Sequence, residues 1–399
     1  MWEAAGRRWT TLDVTSCIFA ESRRRADAQV DGLGSDLPTV VTTPVGFPAS
    51  ARRALRQAAA AAGFAVRAFV PESTAALLPL QQRLRAHGIV TVVDWGGGTL
   101  DVSVLQRHGR TLRERATRPM PSGGDAIDRQ LAEWVCARLD IAFLELTPRD
   151  QDYLLRTVER AKRALSEHGQ AELDLTVEGR SASLAMPRAG LARLTAPTVD
   201  EAISVVKAAV RAAGLSPEGV GRFVFIGGSA RLYGFGQAVQ DDEAFAGRGE
   251  FPGEPDWLVA DGAALLAQHG GRYLAAEGVG LLLADGGVHP LLEPGEAVEG
   301  LERTVRVGLV EDVRAAQIPV GSYPGVPDGD GWKGQPQRFR VARCLTVPTM
   351  GFADEGIDVS LWMSCNLTLH VRAVSFSRDE AVEWEWAPES LPLMYELPG

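Results

Sequence analysis

Residues 92 to 103 have the sequence VVDWGGGTLDVS, in which three consecutive glycines separate two short apolar runs. Glycines after a buried strand let backbone N–H groups approach an anion such as phosphate, because no Cβ blocks it. Asp94 and Asp101 flank this turn, and phosphate repels a carboxylate unless Mg²⁺ lies between them. Thr99 could orient a water molecule or donate to a phosphate oxygen. A tight hairpin without a ligand is the structural alternative.

Residues 224 to 231, VFIGGSAR, form a second apolar run that ends in paired glycines, followed by a serine and an arginine. The two glycine turns lie more than a hundred residues apart. Such a pair suits a nucleotide held between two lobes, whereas two unrelated turns are the alternative.

Alternating elements surround these turns. The apolar patterns predict strands at residues 38–43, 89–94, 100–106 and 222–226, and helices at residues 13–30, 49–62, 125–139, 151–167 and 197–213. This alternation indicates an α/β domain. After about residue 275, apolar and polar residues alternate with a period of two, which predicts antiparallel β structure. Residues 319–337 are rich in Gly and Pro and predict a long exposed loop.

The composition limits the function classes. The chain has 399 residues, enough for more than one domain, and a net charge of −10 opposes nucleic-acid binding. No apolar run is long enough to span a membrane, so we expect no membrane partner and a cytoplasmic protein. The four cysteines are widely spaced, which predicts reduced, mostly buried thiols and neither disulfides nor a zinc site.

Several segments resemble, in order, the ATPase domain of the DnaK-type chaperones, the heat shock protein 70 family with its actin-like ATPase fold. They include PTVVTTPVGFPASARRALRQAAAAAGF, VRAFVPESTAALLPL, VVDWGGGTLDVSVL, PSGGDAIDRQL, RTVERAKRALS, FVFIGGSARLYGFGQAV and EPDWLVADGAA. More loosely, LLLADGGVHPLLEPGEAV and the run from Arg338 to Ser375 resemble strands of the family's peptide-binding β domain. The resemblance implies an incomplete α/β actin-like domain followed by an antiparallel β-sandwich of the peptide-binding type.

The resemblance also implies ATP or ADP with Mg²⁺ as cofactors, and it assigns residues to them. Catalytic roles fall on Thr99, Asp94, Asp101 and Glu72, and Mg²⁺ is held through water by Asp94 and Asp101. Nucleotide contacts fall on Gly96, Gly97, Gly98, Thr99, Gly123, Gly124, Glu159, Lys162, Arg163, Ser166, Gly227, Gly228, Ser229, Arg231 and Asp256. The spacing of Glu159, Lys162, Arg163 and Ser166 also puts them on one helical face, although a solvated charge cluster would give the same pattern.

The family match further assigns Pro44, Arg52 and Glu72 to an allosteric relay that reports the nucleotide state. Pro44 at a strand end is also structurally ordinary. The implied domains are residues 1–272 for the nucleotide, residues 273–379 for a polypeptide, and a Trp- and Pro-rich tail at residues 380–399.

The chain departs from the family pattern at its start. From the resemblance we expect the first phosphate hairpin, of the Asp-x-Gly-Thr-Thr type, and the lysine near the γ-phosphate to have no counterpart here, and the C-terminal helical lid to be missing. Losing such groups typically slows a reaction by about 10² to 10³. We therefore expect weak or absent hydrolysis, and an incomplete lobe that a second chain could cover.

Four interpretations follow. The first is an ATP-binding, chaperone-like protein that binds unfolded or partner polypeptides. The second is a non-enzymatic interaction scaffold, a pseudo-ATPase that keeps the chaperone fold. The third, a sugar kinase of the same fold, lacks an identifiable substrate acid and base. The fourth is a misassigned start codon, with the first phosphate loop encoded upstream.

Overall fold

The computed structural model describes residues 2–4, 6–253, 257–352, 355–378, 380–386 and 392–398. The helices are α1 (Thr11–Gln29), α2 (Ala49–Ala61), α3 (Glu72–Leu77), α4 (Gly124–Leu139), α5 (Pro148–Glu167), α6 (Arg188–Ala212), α7 (Tyr233–Asp241) and α8 (Leu258–His269). The strands up to residue 250 are β1 (Trp2–Ala4), β2 (Arg7–Trp9), β3 (Leu37–Thr43), β4 (Phe64–Pro71), β5 (His87–Trp95), β6 (Leu100–His108), β7 (Thr111–Met120), β8 (Gln170–Val177), β9 (Arg180–Pro187), β10 (Arg222–Ile226) and β11 (Gly249–Glu250). The later strands are β12 (Arg272–Ala275), β13 (Glu277–Leu282), β14 (Val288–Leu292), β15 (Glu302–Gly308), β16 (Ala315–Asp328), β17 (Gly331–Gly334), β18 (Arg340–Pro348), β19 (Gly356–Met363), β20 (Leu369–Ser375), β21 (Ala381–Trp386) and β22 (Leu393–Glu396).

The chain divides into two compact units. The first unit contains Met1–Gln81, Arg107–Glu114 and Ala260–Gly399, and the second contains Gln82–Gln106 and Arg115–Val259. This division does not follow the predicted boundary at residue 272, and the three-part domain organisation stays a prediction.

The second unit is an α/β unit, as the alternating pattern predicts. Its sheet has the order β11-β10-β5-β6-β7, and β10 pairs in parallel with both β5 and β11. One large apolar core joins this sheet to helices α4, α5 and α6. Phe223, Phe225, Phe235 and Phe245 pack edge to face within it. The core fixes the strand ends from which the glycine turns emerge.

The first unit combines two helices on a parallel strand pair with several antiparallel strands. Strands β3 and β4 pair in parallel beside α1 and α2. After residue 275 the pairing is antiparallel, with the order β14-β13-β16-β17, with β18 on β16, and the order β15-β19-β20-β21 in a second sheet. The predicted antiparallel β structure is therefore confirmed, whereas the β-sandwich and its peptide-binding role stay predictions.

The prediction of a loop at residues 319–337 is wrong. Strand β16 continues to Asp328, and β17 pairs with it in a hairpin in which Pro327 faces Trp332. The turn contains Gly329 in the left-handed region, at φ 57°. Gly and Pro are compatible with a hairpin here. Glycine accepts the turn conformation, and proline is tolerated where the strand pairing needs no N–H donor.

The predicted Trp- and Pro-rich tail at residues 380–399 contains strands β21 and β22, and β22 pairs with β12 and with the start of β7. One other expectation is wrong: all four cysteines are free thiols, but only Cys136 is buried, so the thiols are mostly exposed. Among the described residues, no helix has the length and apolar character needed to cross a membrane.

Candidate functional site

The glycine run after β5 packs directly against a second glycine pair at the start of α4. The Gly124 N–H donates to the Gly96 carbonyl at 3.0 Å, and the Asp125 N–H donates to the Gly97 carbonyl at 2.8 Å. A Cβ added to Gly123 would lie 2.5 Å from the Gly97 oxygen, so this position requires glycine. The two segments are thus locked together by their backbones.

A third glycine turn follows β10 and closes on the same place. Ile226 is paired with Asp94, so the carboxyl ends of β10 and β5 lie side by side. Gly227 has φ 83°, and a Cβ there would lie 2.5 Å from the Trp95 oxygen. The Ser229 hydroxyl donates to the Gly96 carbonyl at 2.8 Å. The third turn lies more than a hundred residues from the other two in the sequence, and the fold brings all three together in one place.

A cavity of about 500 Å³ opens beside these turns, within the second unit. This volume is in the range of small-molecule sites, roughly 300 to 1,000 Å³. The residues that line it are Gly97, Gly124, Asp125, Asp128, Glu159, Lys162, Arg163, Ser166, Glu167, Gly228, Ser229 and Arg231. Nine of them carry a nucleotide contact in the sequence prediction, and the additional members are Asp125, Asp128 and Glu167.

Lys162 on α5 reaches across to α4. Its ammonium donates to Asp128 Oδ2 at 2.9 Å and to the Gly124 carbonyl at 3.0 Å. Burial raises the pKa of Asp128, and the nearby ammonium opposes this shift. The second oxygen, Oδ1 of Asp128, is buried without a hydrogen-bond partner among the described residues. The pair thus fixes the lysine at the cavity wall.

The other charged residues of α5 are more exposed. Arg163 donates to Glu159 at 2.7 Å, and the Arg163 side chain is 77% exposed. Across the cavity, Arg231 follows the third glycine turn and donates to the Gly253 carbonyl at 3.5 Å. Two guanidinium groups therefore border the same cavity, and a planar guanidinium can stack on an aromatic base.

Asp94, Thr99 and Asp101 lie at the glycine turn but do not line this cavity. The Thr99 hydroxyl donates to Asp101 Oδ2 at 2.9 Å. Burial, together with the charge of Asp101, raises the pKa of Asp94 to about 6. A hydrated divalent cation next to Asp94 and Asp101 would offset the negative charge that raises the pKa of Asp94, so this pair suits such a cation.

The charges of the cavity wall favour a metal-bound anion over a bare one. Four carboxylates (Asp125, Asp128, Glu159 and Glu167) and three cationic side chains (Lys162, Arg163 and Arg231) line it. Two of the carboxylates are already paired with Lys162 and Arg163. The donor set therefore fits a phosphate chain whose charge is partly neutralised by Mg²⁺.

The remaining predicted residues lie elsewhere or add to the turns. Gly96, Gly98, Gly123 and Gly227 build the turns without lining the cavity. Pro44, Arg52 and Glu72 belong to the first unit, after β3, in α2 and at the start of α3. Asp256 is outside the described residues. The nucleotide, metal and relay roles of all these residues stay predictions.

Comparisons with known proteins identify the family of the chain. A family model described as "Hsp70 protein" matches residues 2–291. The chain is 34% identical over 268 residues to the "Chaperone protein HscA homolog" of Cupriavidus taiwanensis, which covers 66% of this chain and 42% of that protein. For the proteins of the same name from Bordetella petrii and Methylococcus capsulatus, the identity is 34% over 259 and 263 residues, with 64% and 65% of this chain and 41% of each relative covered. The chain thus spans about two fifths of the length of the curated relatives it matches.

Proposed function

Because the chain belongs to the Hsp70 family, we propose that its second unit binds ATP or ADP together with Mg²⁺ in the cavity beside the three glycine turns. One observation carries this proposal. Three glycine turns, at residues 96–98, 123–124 and 227–228, are held together at the cavity wall by backbone hydrogen bonds between the first two and by the bond from the Ser229 hydroxyl to the Gly96 carbonyl. Glycine turns of this kind present N–H groups to phosphate.

The residues would divide the work as follows. Gly97 and Gly228 would offer backbone N–H groups to the phosphates, whereas the Gly124 N–H and the Ser229 hydroxyl already hold the first turn through the Gly96 carbonyl. Asp94 and Asp101 would hold Mg²⁺ through water. Residues of α5, together with Arg231, would hold the adenosine. Glu159, Lys162 and Ser166 would contact the ribose, and Arg163 and Arg231 would stack on the two faces of the base. When bound, Mg²⁺ would supply charge neutralisation for the phosphates.

We further infer that residues 1–399 alone hydrolyse ATP slowly or not at all. Of the three lysines in the sequence, Lys162 is the one that lines the cavity. Its ammonium already donates hydrogen bonds to Asp128 and to the Gly124 carbonyl. The Thr99 hydroxyl donates a hydrogen bond to Asp101. Thr99 can therefore position a water molecule, but a hydroxyl group is not a strong base.

The relatives' name, "Chaperone protein HscA homolog", supports a chaperone-like role for the whole protein. We propose that the antiparallel strands after residue 275 bind an unfolded or partner polypeptide. In the alternative, the fold is an interaction scaffold that binds its partner without using nucleotide. A second chain over the first lobe and a cytoplasmic location stay predictions.

Two measurements test the proposal. Equilibrium titration with MgATP and MgADP reports binding, and a single-turnover reaction with γ-labelled ATP reports hydrolysis. Micromolar binding with slow or undetectable turnover supports the proposal. Rapid turnover would overturn the inference of weak hydrolysis, whereas the absence of nucleotide binding with retained polypeptide binding would favour the scaffold.

A further inference from the structure

A second cavity of the second unit is strongly basic. It has a volume of about 480 Å³ and lies at the strand ends opposite the glycine turns, where β5 begins at His87 and β10 begins at Arg222. Arg83, Arg85 and Arg248 also line it, and Glu218 is the one carboxylate among its lining residues. The whole chain carries a net charge of −10, so this concentration of arginine is a local feature.

The arginines of this basic cavity are satisfied to different degrees. Arg248 is fixed in the wall, because its guanidinium donates to the carbonyls of Pro217, Val220 and Ala244. Arg83 and Arg222 share a single carboxylate, Glu250, at 3.5 and 3.8 Å.

Both distances are long for ion pairs, and the arginine side chains are 71% and 41% exposed, so these contacts stabilise little. Arg85 is exposed and forms no ion pair or hydrogen bond with another described residue. The basic cavity therefore holds more guanidinium donors than the nearby carboxylates of Glu218 and Glu250 use.

The backbone leaves room for a ligand. Gly88, Gly219, Gly221 and Gly247 line the basic cavity between the arginines. A Cβ added to Gly88 or Gly247 would meet no atom within 4 Å, so open space lies next to both positions. Bare backbone next to the unpaired guanidinium of Arg85 and the weakly paired ones of Arg83 and Arg222 suits an anion with several oxygens, which guanidinium binds in a bidentate manner.

We propose that this basic cavity is a binding site for a small polyanion of the diphosphate type. Arg83, Arg85 and Arg222 bind the anion, and Arg248 holds the wall. The volume of about 480 Å³ and the net negative charge of the chain favour a small ligand over a nucleic acid. The site lies outside the proposed nucleotide cavity, and the proposal does not rest on nucleotide binding.

The test uses the full chain labelled with ¹⁵N-glycine and titrated with inorganic pyrophosphate without Mg²⁺. The amide signals of Gly88, Gly219, Gly221 and Gly247 report on the basic cavity, and those of Gly97, Gly124 and Gly228 report on the first cavity. We expect saturable shifts at the first group. The Arg85→Ala/Arg222→Ala variant should raise the dissociation constant at these signals by about tenfold or more.

Two controls keep the result specific. Arg193→Ala removes an exposed arginine of α6 outside both cavities and should leave the dissociation constant unchanged. Arg85→Glu changes one exposed side chain, so folding is retained, and it should weaken binding in the same direction. Shifts confined to Gly97, Gly124 and Gly228, no saturable shift, or equal binding by Arg85→Glu and Arg193→Ala would overturn the proposal.

Discussion

The ammonium of Lys162 on α5 lies 2.9 Å from Oδ2 of Asp128 on α4, and only 14% and 9% of the two side chains are exposed. This buried pair links the helix proposed to hold adenosine to the helix that starts at the second glycine turn. A buried charge that loses its partner is strongly destabilising, whereas removing both charges together is far less so.

Lys162→Met should therefore lower the free energy of unfolding by about 3 kcal/mol, because Asp128 is left buried and unpaired. Lys162→Met/Asp128→Leu should recover much of this loss. Urea denaturation gives the stabilities, and hydrogen exchange of the α4 and α5 peptides locates the effect. Equal stability of the single variant and the wild type would show that the pair is not formed.

The raised pKa of Asp94 predicts that the stability of the fold depends on pH. Its folded pKa is about 6 and its ordinary value is 3.8, so between these values the folded state holds the proton more tightly than the unfolded state does. The protonated Asp94 therefore contributes to the free energy of unfolding below about pH 4, and this contribution is lost as the pH rises through 6. The loss amounts to about 3 kcal/mol.

Asp94→Asn should thus be more stable than the wild type at pH 8, and this difference should vanish near pH 4, while Mg²⁺-dependent ATP binding is lost. Chemical denaturation at both pH values measures the effect. Asp174→Asn, an exposed position on β8, is the matched control and should show no such trend. A stability difference independent of pH would contradict the assignment.

Removal of Mg²⁺ should weaken ATP binding by at least about tenfold, because four carboxylates line the cavity that would take the phosphates. Adenosine, which carries no phosphate, should bind equally well with Mg²⁺ and with EDTA. Competition titrations under the two conditions supply the comparison. ATP affinity that does not respond to Mg²⁺ would place the phosphates away from Asp94 and Asp101.

Arg52 links α2 to the turn between β19 and β20 inside the first unit. It is 5% exposed, and its Nε donates to the Asn366 carbonyl at 2.8 Å. Arg52→Ala should lower the free energy of unfolding by about 2 to 3 kcal/mol, since a charge-assisted hydrogen bond is lost and a buried carbonyl is left unpaired.

Arg53→Ala, which changes the exposed neighbour in the same helix, should stay within about 0.5 kcal/mol of the wild type in urea denaturation. Similar losses in both variants would argue against a specific role for the Arg52 contact. The allosteric role of Arg52 is a separate prediction that this comparison does not address.

The glycine turns could be predicted from sequence because the requirement is local. Gly227 needs a left-handed φ, and its neighbours follow a short apolar strand that is readable from the sequence. The pairing of β5 with β10 then brings two such turns together. Asp128 was missed because its partner, Lys162, lies 34 residues away on another helix, and no local pattern marks either as paired.

Helix α6 and the hairpin β8–β9 show where local signals mislead. Helix α6 begins at Arg188, nine residues before the predicted start. It continues through Pro197, although a proline inside a helix removes a backbone hydrogen bond and usually marks a helix end. The hairpin was not predicted, although the side chains of Gln170–Val177 alternate strictly between exposed and buried. Tertiary packing against the core decides both cases.

Calorimetric titration with MgATP tests the central claim most directly. The wild type and Gly169→Val, where an added Cβ meets no atom within 4 Å, should bind with the same dissociation constant. Gly97→Val/Gly228→Val should lose binding by at least about a hundredfold while keeping a cooperative thermal transition, because bulky side chains would fill the turns that face the phosphates. Unchanged affinity in the double variant, or no binding by the wild type at millimolar MgATP, would contradict a nucleotide site at these turns.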